Sequence, residues 1–264
     1  MKIAAQGLAI VFTVFLIWFG LSQLDYVSFF KVKQNGQDLE TALGELIWDE
    51  IAKTEDVVLN DSLVKTLDKL INPLCEANGI ERDSLKVHII EKDEINAFAL
   101  PNNHLVVYTG LIADCKNQQA LQGVLGHEIA HIENKHVMKK LSKEIGFSVL
   151  LSATTGGKAG EVLKEIFRTL SSSAYDRSLE KEADITSVDY MIAADIDPKP
   201  LADFMYEMAM DSQMPKEMYW IASHPESEER AQYILEYIKG KKLKSKATIT
   251  EKEWQAFQKL AEQQ

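Results

Sequence analysis

Gly126-His127-Glu128-Ile129-Ala130-His131, continuing as Ile132-Glu133-Asn134-Lys135-His136, is the stretch from which the rest of the chain is read. Each helical residue advances about 100°, so His127 and His131 project within about 40° of each other, one turn apart. Two imidazoles so placed can hold one metal ion. Glu128 beside them can set a carboxylate against water on that ion. Leu121, Val124, Leu125, Ile129 and Ile132 repeat at helical spacing, with the histidines at the edge of this apolar stripe. The spacing predicts an amphipathic helix carrying HExxH, and it demands a third ligand from elsewhere.

Downstream, Tyr175-Asp176-Arg177-Ser178-Leu179-Glu180-Lys181-Glu182-Ala183-Asp184 opens a helix that continues through Tyr190. Glu180 and Asp184 share a face, whereas Glu182, about 200° round from Glu180, points away. A glutamate on the metal, with an aspartate one turn on to accept the N–H of a ligating histidine, is sound metal-site chemistry. An acidic helix face alone is usually a solvated face; the HExxH upstream reverses that reading. His136 competes for the third position. It lies about 180° round the helix from His127, with no glycine before it to turn the chain. The HExxHxxGxxH arrangement is absent, so His136 reads as a packed or surface histidine. Further on, Ser223-His224-Pro225-Glu226 starts another helix, with Ser223 and Glu226 fitting a capping box. From there His224 and Arg230 could reach the metal, although an ordinary helix start is the plainer reading of those residues alone.

Ahead of the HExxH helix, residues 34–55 predict a connecting helix with Leu39, Leu43, Leu46, Ile47 and Ile51 on one face. Asn60-Asp61-Ser62 caps a second, running to Asn78. Leu85, Val87 and Ile89 alternate as in a strand. Asn96-Ala97-Phe98-Ala99-Leu100 and His104-Leu105-Val106-Val107-Tyr108, broken by Pro101-Asn102-Asn103, complete a small sheet. Its edge suits backbone pairing with an extended peptide, the alternative being a purely structural hairpin. Ile145-Gly146-Phe147-Ser148-Val149-Leu150-Leu151 is too short to cross a bilayer and predicts core packing or a mobile apolar flap. The glycines at 156, 157 and 160 lack the GK[ST] pattern of a phosphate loop.

Residues 3–21 are apolar apart from Gln6 and Thr13, and as a helix they would span roughly 28 Å. A retained transmembrane anchor over 1–24 is expected in preference to a cleaved signal, with the N-terminus in the cytoplasm and the remaining chain outside it. The divisions expected are this anchor, a connecting helix over 25–58, a main domain over 59–240, and a basic linker with a C-terminal helix over 241–264. The net charge of −11 across 264 residues excludes a nucleic-acid backbone as partner. Lys239, Lys241, Lys242, Lys244 and Lys246 form the one basic cluster, read as a solvated linker. Cys75 and Cys115 are either a disulfide or two half-buried thiols, and neither has a base placed to make it a nucleophile.

The pieces NAFA-x-P (96–101), YTGL (108–111), GHEIAH (126–131), ExEAD (180–184) and SHP-x4-R (223–230), in this order, resemble the membrane-associated zinc metallopeptidase family. That family includes the CAAX prenyl endopeptidases, the HtpX-type proteases and the β-barrel assembly-enhancing proteases. The resemblance implies an α+β fold, mostly helical, of the gluzincin type with a small β-sheet. It implies zinc on His127, His131 and Glu180, with Asp184 behind them and Glu128 as the base. His224 looks like the family's histidine near the zinc, which assists the transition state or closes off the metal. Arg230 looks like its companion at the oxyanion, and Asn96, Ala97, Phe98 and Ala99 look like the substrate-binding edge. The implied activity is a zinc metalloendopeptidase of the bacterial envelope acting on unfolded or misassembled membrane and envelope proteins. A latent metal-bound chaperone or assembly factor, or a purely structural zinc site, are the alternatives. Two departures stand out: Pro101-Asn102-Asn103 replaces the usual Pro-Gly-Gly, and Asp176-Arg177 stands where Ser-Arg is common.

Overall fold

The computed structural model describes residues 32–154, 159–172, 175–210, 224–225 and 227–264. The expected anchor and the Ser223–Glu226 capping pair lie outside them. Among the described residues no helix is long and apolar enough to cross a membrane. Contacts divide the chain into residues 1–40 and residues 41–264.

Helix α1 (Val32–Thr54) buries Leu43, Ile47 and Ile51 at four-residue intervals. Its Trp48 stacks on His88, with centroids 3.5 Å apart. Helix α2 (Asp61–Asn78) starts at Asn60, whose side chain accepts from the N–H groups of Ser62 and Leu63. It buries Leu63, Leu67, Leu70, Ile71 and Leu74. Strands β1 (Lys86–Ile90), β2 (Ala97–Leu100) and β3 (His104–Tyr108) form one sheet in the order β1-β3-β2, with β1 parallel and β2 antiparallel to β3. The β2–β3 turn places Asn102 at φ 60° and Asn103 at φ 62°. Asparagine is the residue besides glycine that tolerates this left-handed region, so the departure from Pro-Gly-Gly keeps the turn.

The short helix α3 (Thr109–Asp114) leads to α4 (Gln118–Glu133), capped by the Asn117 side chain on Ala120 N–H. Nearly every residue of α4 is buried, polar ones included, so the apolar stripe read from sequence understates how deeply this helix sits. Helices α5 (His136–Glu144), α6 (Phe147–Thr154) and α7 (Ala159–Ser172) follow. The apolar 145–151 stretch divides its roles: Leu150 is buried, while Phe147, Val149 and Leu151 are exposed. Helix α8 (Arg177–Ala193) then packs along α4, followed by α9 (Lys199–Met210), α10 (Ser227–Ile238) and α11 (Glu251–Ala261). Trp254 and Phe257 of α11 are buried, and Gln118 accepts from the N–H groups of Thr248 and Ile249, stitching the C-terminal segment to the start of α4. In the basic cluster, Lys244 pairs with Asp195 at 3.0 Å and Lys239 with Glu236 at 3.2 Å. Cys75 and Cys115 are both buried free thiols, which excludes the disulfide alternative.

The glycine of GHEIAH is a packing requirement. A Cβ at Gly126 would lie 2.7 Å from Ser187 Oγ on α8, the hydroxyl that donates to Gly123 O at 2.7 Å. Only a hydrogen at this position lets α8 approach closely enough to bring its carboxylates to the histidines of α4. Gly126→Ala is expected to lower stability by about 1–3 kcal/mol, partly recovered in Gly126→Ala/Ser187→Ala, as read by denaturant unfolding.

Candidate metal centre

His127 and His131 leave α4 on one side, their Nε2 atoms 2.9 Å apart. Glu180, from the first turns of α8, brings Oε2 to 3.6 Å from His127 Nε2 and Oε1 to 3.4 Å from His131 Nε2. His224 adds Nδ1, 3.3 Å from His127 Nε2 and 3.1 Å from each Glu180 oxygen. All four residues are buried, and one donor atom from each lies within 4.8 Å of the others. Four nitrogen and oxygen donors about 2.0–2.1 Å from a tetrahedral ion would stand roughly 3.3 Å apart, so the donor set fits one metal. Burial holds the His127, His131 and His224 imidazoles down to about 4, which keeps them neutral, the state in which they ligate.

Supporting groups fix which nitrogens face inward. His127 Nδ1 lies 2.8 Å from Asp184 Oδ1, so its N–H donates outward and leaves Nε2 for the metal. Arg230, on α10, donates through Nε and Nη2 to the two Asp184 oxygens at 2.8 and 2.7 Å, and through Nη1 to Glu180 at 2.8 Å and the His224 carbonyl at 3.2 Å. The Tyr233 hydroxyl also donates to Asp184. Burial alone would raise both carboxyls. For Glu180, His224 and Arg230 outweigh it, and for Asp184, Arg230 and His127 do, holding both well below the usual carboxylate range. The guanidinium is thus held on the carboxylates of Asp184 and Glu180, and its Nη2 also comes within 3.4 Å of His127 Nε2.

His136 stands outside the donor cluster, but the reason differs from the one helix geometry gives. Helix α4 ends before it: Lys135 adopts φ 56°, turning the chain so that His136 begins α5. The ring is buried, with Nδ1 3.0 Å from His131 Nδ1 and Nε2 3.4 Å from Glu182. Glu182 thus stands against the His136 nitrogen that does not meet His131. Tyr175 stacks on the other side of the His131 ring, with centroids 4.2 Å apart. Neither contact was legible in the motif, although Tyr233, three residues after Arg230 on α10, shares its helix face as spacing requires. His136→Ala is expected to weaken metal affinity by about 10–100-fold while leaving one site per chain, as measured by competition with a chromogenic chelator.

Glu128 sits between this donor set and the sheet. Its Oε2 accepts from Ala99 N–H at 2.9 Å, whereas Oε1 is buried without a hydrogen bond and His224 Nε2 stands 3.4 Å from it. Burial, reinforced by Glu180, raises this carboxyl well above its ordinary value despite the Ala99 N–H. Asn96 O accepts from Tyr108 N–H, so by antiparallel alternation Asn96, Phe98 and Leu100 carry the hydrogen bonds to β3. The N–H and C=O groups of Ala97 and Ala99 face the other way, towards Glu128, along the edge of β2 that no other strand pairs among the described residues.

The sequence profile of peptidase family M48 matches residues 61–238, more than half of the chain. The chain belongs to peptidase family M48. Among relatives, the mitochondrial metalloendopeptidase OMA1 of Bos taurus is 28% identical over 209 residues, covering 71% of this chain and 39% of that protein. The metalloprotease LoiP of Escherichia coli is 29% identical over 181 residues, covering 66% of this chain and 70% of LoiP. The beta-barrel assembly-enhancing protease of Yersinia pestis is 24% identical over 208 residues, covering 71% of this chain and 41% of that protein. The match thus spans about two fifths of the OMA1 and assembly-enhancing relatives. This M48 membership agrees with the family resemblance carried by the motifs.

Proposed function

We propose that this chain is a zinc-dependent endopeptidase of the bacterial cell envelope that hydrolyses unfolded or misassembled membrane and envelope proteins in quality control. The observation that carries this reading is the position of Glu128, a buried base poised between the His127–His131–Glu180 donors and the edge strand β2, whose Ala99 N–H it accepts. A purely structural site has no use for a carboxylate there. When bound, zinc supplies a Lewis acid and lowers the pKa of water towards neutrality. Glu128 Oε1 takes the proton of the attacking water and passes it to the leaving amine, a shuttle suited to a carboxyl whose affinity for protons is raised by burial. Ala97 and Ala99 hold the extended substrate backbone to backbone. Arg230 acts as a positioning residue for Glu180 and Asp184. The apolar 3–21 stretch supports a membrane tether, and the assembly-enhancing relative supports an envelope setting.

His224 favours a second reading of the resting state. With its Nδ1 among the donors the set holds four protein ligands, the closed arrangement of non-catalytic zinc sites, so cleavage requires His224 to leave the set when substrate binds. The same closed state suits a metal-bound chaperone that holds envelope proteins without cutting them. Purified full-length chain incubated with an unfolded envelope protein is expected to produce fragments, to stop on chelation, and to recover when zinc is returned. Suppressed aggregation with no fragments in any state would favour the chaperone.

A further inference from the structure

Beside the edge strand β2 lies a cavity that the metal chemistry does not use. Alternate strand residues project to opposite faces, so Phe98 and Leu100 share one face, and Tyr108, paired with Asn96, shares it too. Residues of α1 and α7 close over this face and leave a cavity of about 250 Å³, walled chiefly by Ile51, Phe98, Leu100, Tyr108, Phe167 and Leu170. Phe98 and Tyr108 meet edge to face with centroids 5.7 Å apart, which fixes one wall. The rim carries Lys92, 3.6 Å from Glu55 and 3.7 Å from Glu94, so carboxylate is in excess there. The opposite face of β2 has no comparable room, Ala97 and Ala99 being closed in at 0% and 3% exposure.

We infer that this cavity is a specificity pocket that takes one large apolar side chain of the substrate, leucine or phenylalanine in kind, and rejects acidic ones. The inference rests on the peptidase reading above. A peptide added to the edge of β2 alternates in the same way as the strand itself, so every second side chain falls on the Phe98–Leu100 face. Glu128 takes the Ala99 N–H from that same edge, and each strand residue advances about 3.3 Å. The residue entering the pocket therefore lies within about two positions of the bond cut. Apolar walls reward a large side chain by burial, and the rim carboxylates repel aspartate and glutamate.

The test is a peptide library randomised on both sides of the cleaved bond, read as kcat/KM for the full-length chain loaded with zinc. At one position the wild type should prefer leucine or phenylalanine over alanine by about 10-fold or more, with aspartate and glutamate least favoured. Leu170→Trp fills the cavity and should bring that ratio to unity or below. Phe167→Ala enlarges it and should shift preference towards tryptophan, which keeps the test open if the first variant fails to fold. Absence of any positional preference overturns the pocket, as does a preference unchanged in every folded variant. If the wild type cuts no peptide at all, the peptidase reading itself fails and the pocket falls with it.

Discussion

Glu128→Gln is expected to lower cleavage by about 10²–10⁴-fold while the metal content stays at one ion per chain. Glutamine keeps the side chain's volume, and its amide oxygen can still accept the Ala99 N–H now bound at 2.9 Å. It cannot take up a proton at the Oε1 position. The donors His127, His131, Glu180 and His224 are untouched, so binding and chemistry separate in this variant. Cleavage and zinc content should be measured on the same preparation. Loss of zinc would undo the role given to Glu128, and undiminished cleavage would place the base elsewhere. In cells, membrane proteins that accumulate with Glu128→Gln but not with wild type are the candidate natural substrates.

Arg230→Ala is expected to destabilise the metal-free protein by about 3–5 kcal/mol, the largest effect on folding of any replacement considered. The guanidinium is 2% exposed and engages the buried carboxylates of Asp184 and Glu180 together. Removing it leaves two anions buried without their cation, which costs more than the pair itself contributes. Zinc binding to the folded state should offset part of the loss by mass action. Arg230→Lys should recover little, because an ammonium cannot bridge two carboxylates as a planar fork does. Urea unfolding of both variants, with and without zinc, checks this. An unchanged midpoint in the metal-free Arg230→Ala protein would contradict the positioning role.

Much of the site could be read from residue order because helical spacing fixes which side chains share a face. His127 with His131 and Glu180 with Asp184 are each separated by four residues, and the structure brings the two pairs together. His136 shows where such reading stops. Between Ile132 and His136 no glycine or proline marks a break, yet Lys135 in the left-handed region ends the helix and swings His136 beneath His131. The role of Gly126 was equally hidden, since it depends on Ser187 of a helix far along the chain. The engagement of Arg230 depends on how α10 meets α8, which no local pattern encodes. The same holds for α1: its apolar spacing was plain, but Trp48 stacking on His88 is a tertiary fact.

The most direct test of the account is X-ray absorption at the zinc edge of the purified full-length chain, alongside its metal content. One zinc per chain is expected, with nitrogen and oxygen donors only, at about 2.0–2.1 Å. A histidine signal weakened in His224→Ala and zinc lost in Glu180→Ala would match the donor set described. Sulfur at about 2.3 Å, or full zinc retention in Glu180→Ala, would contradict it.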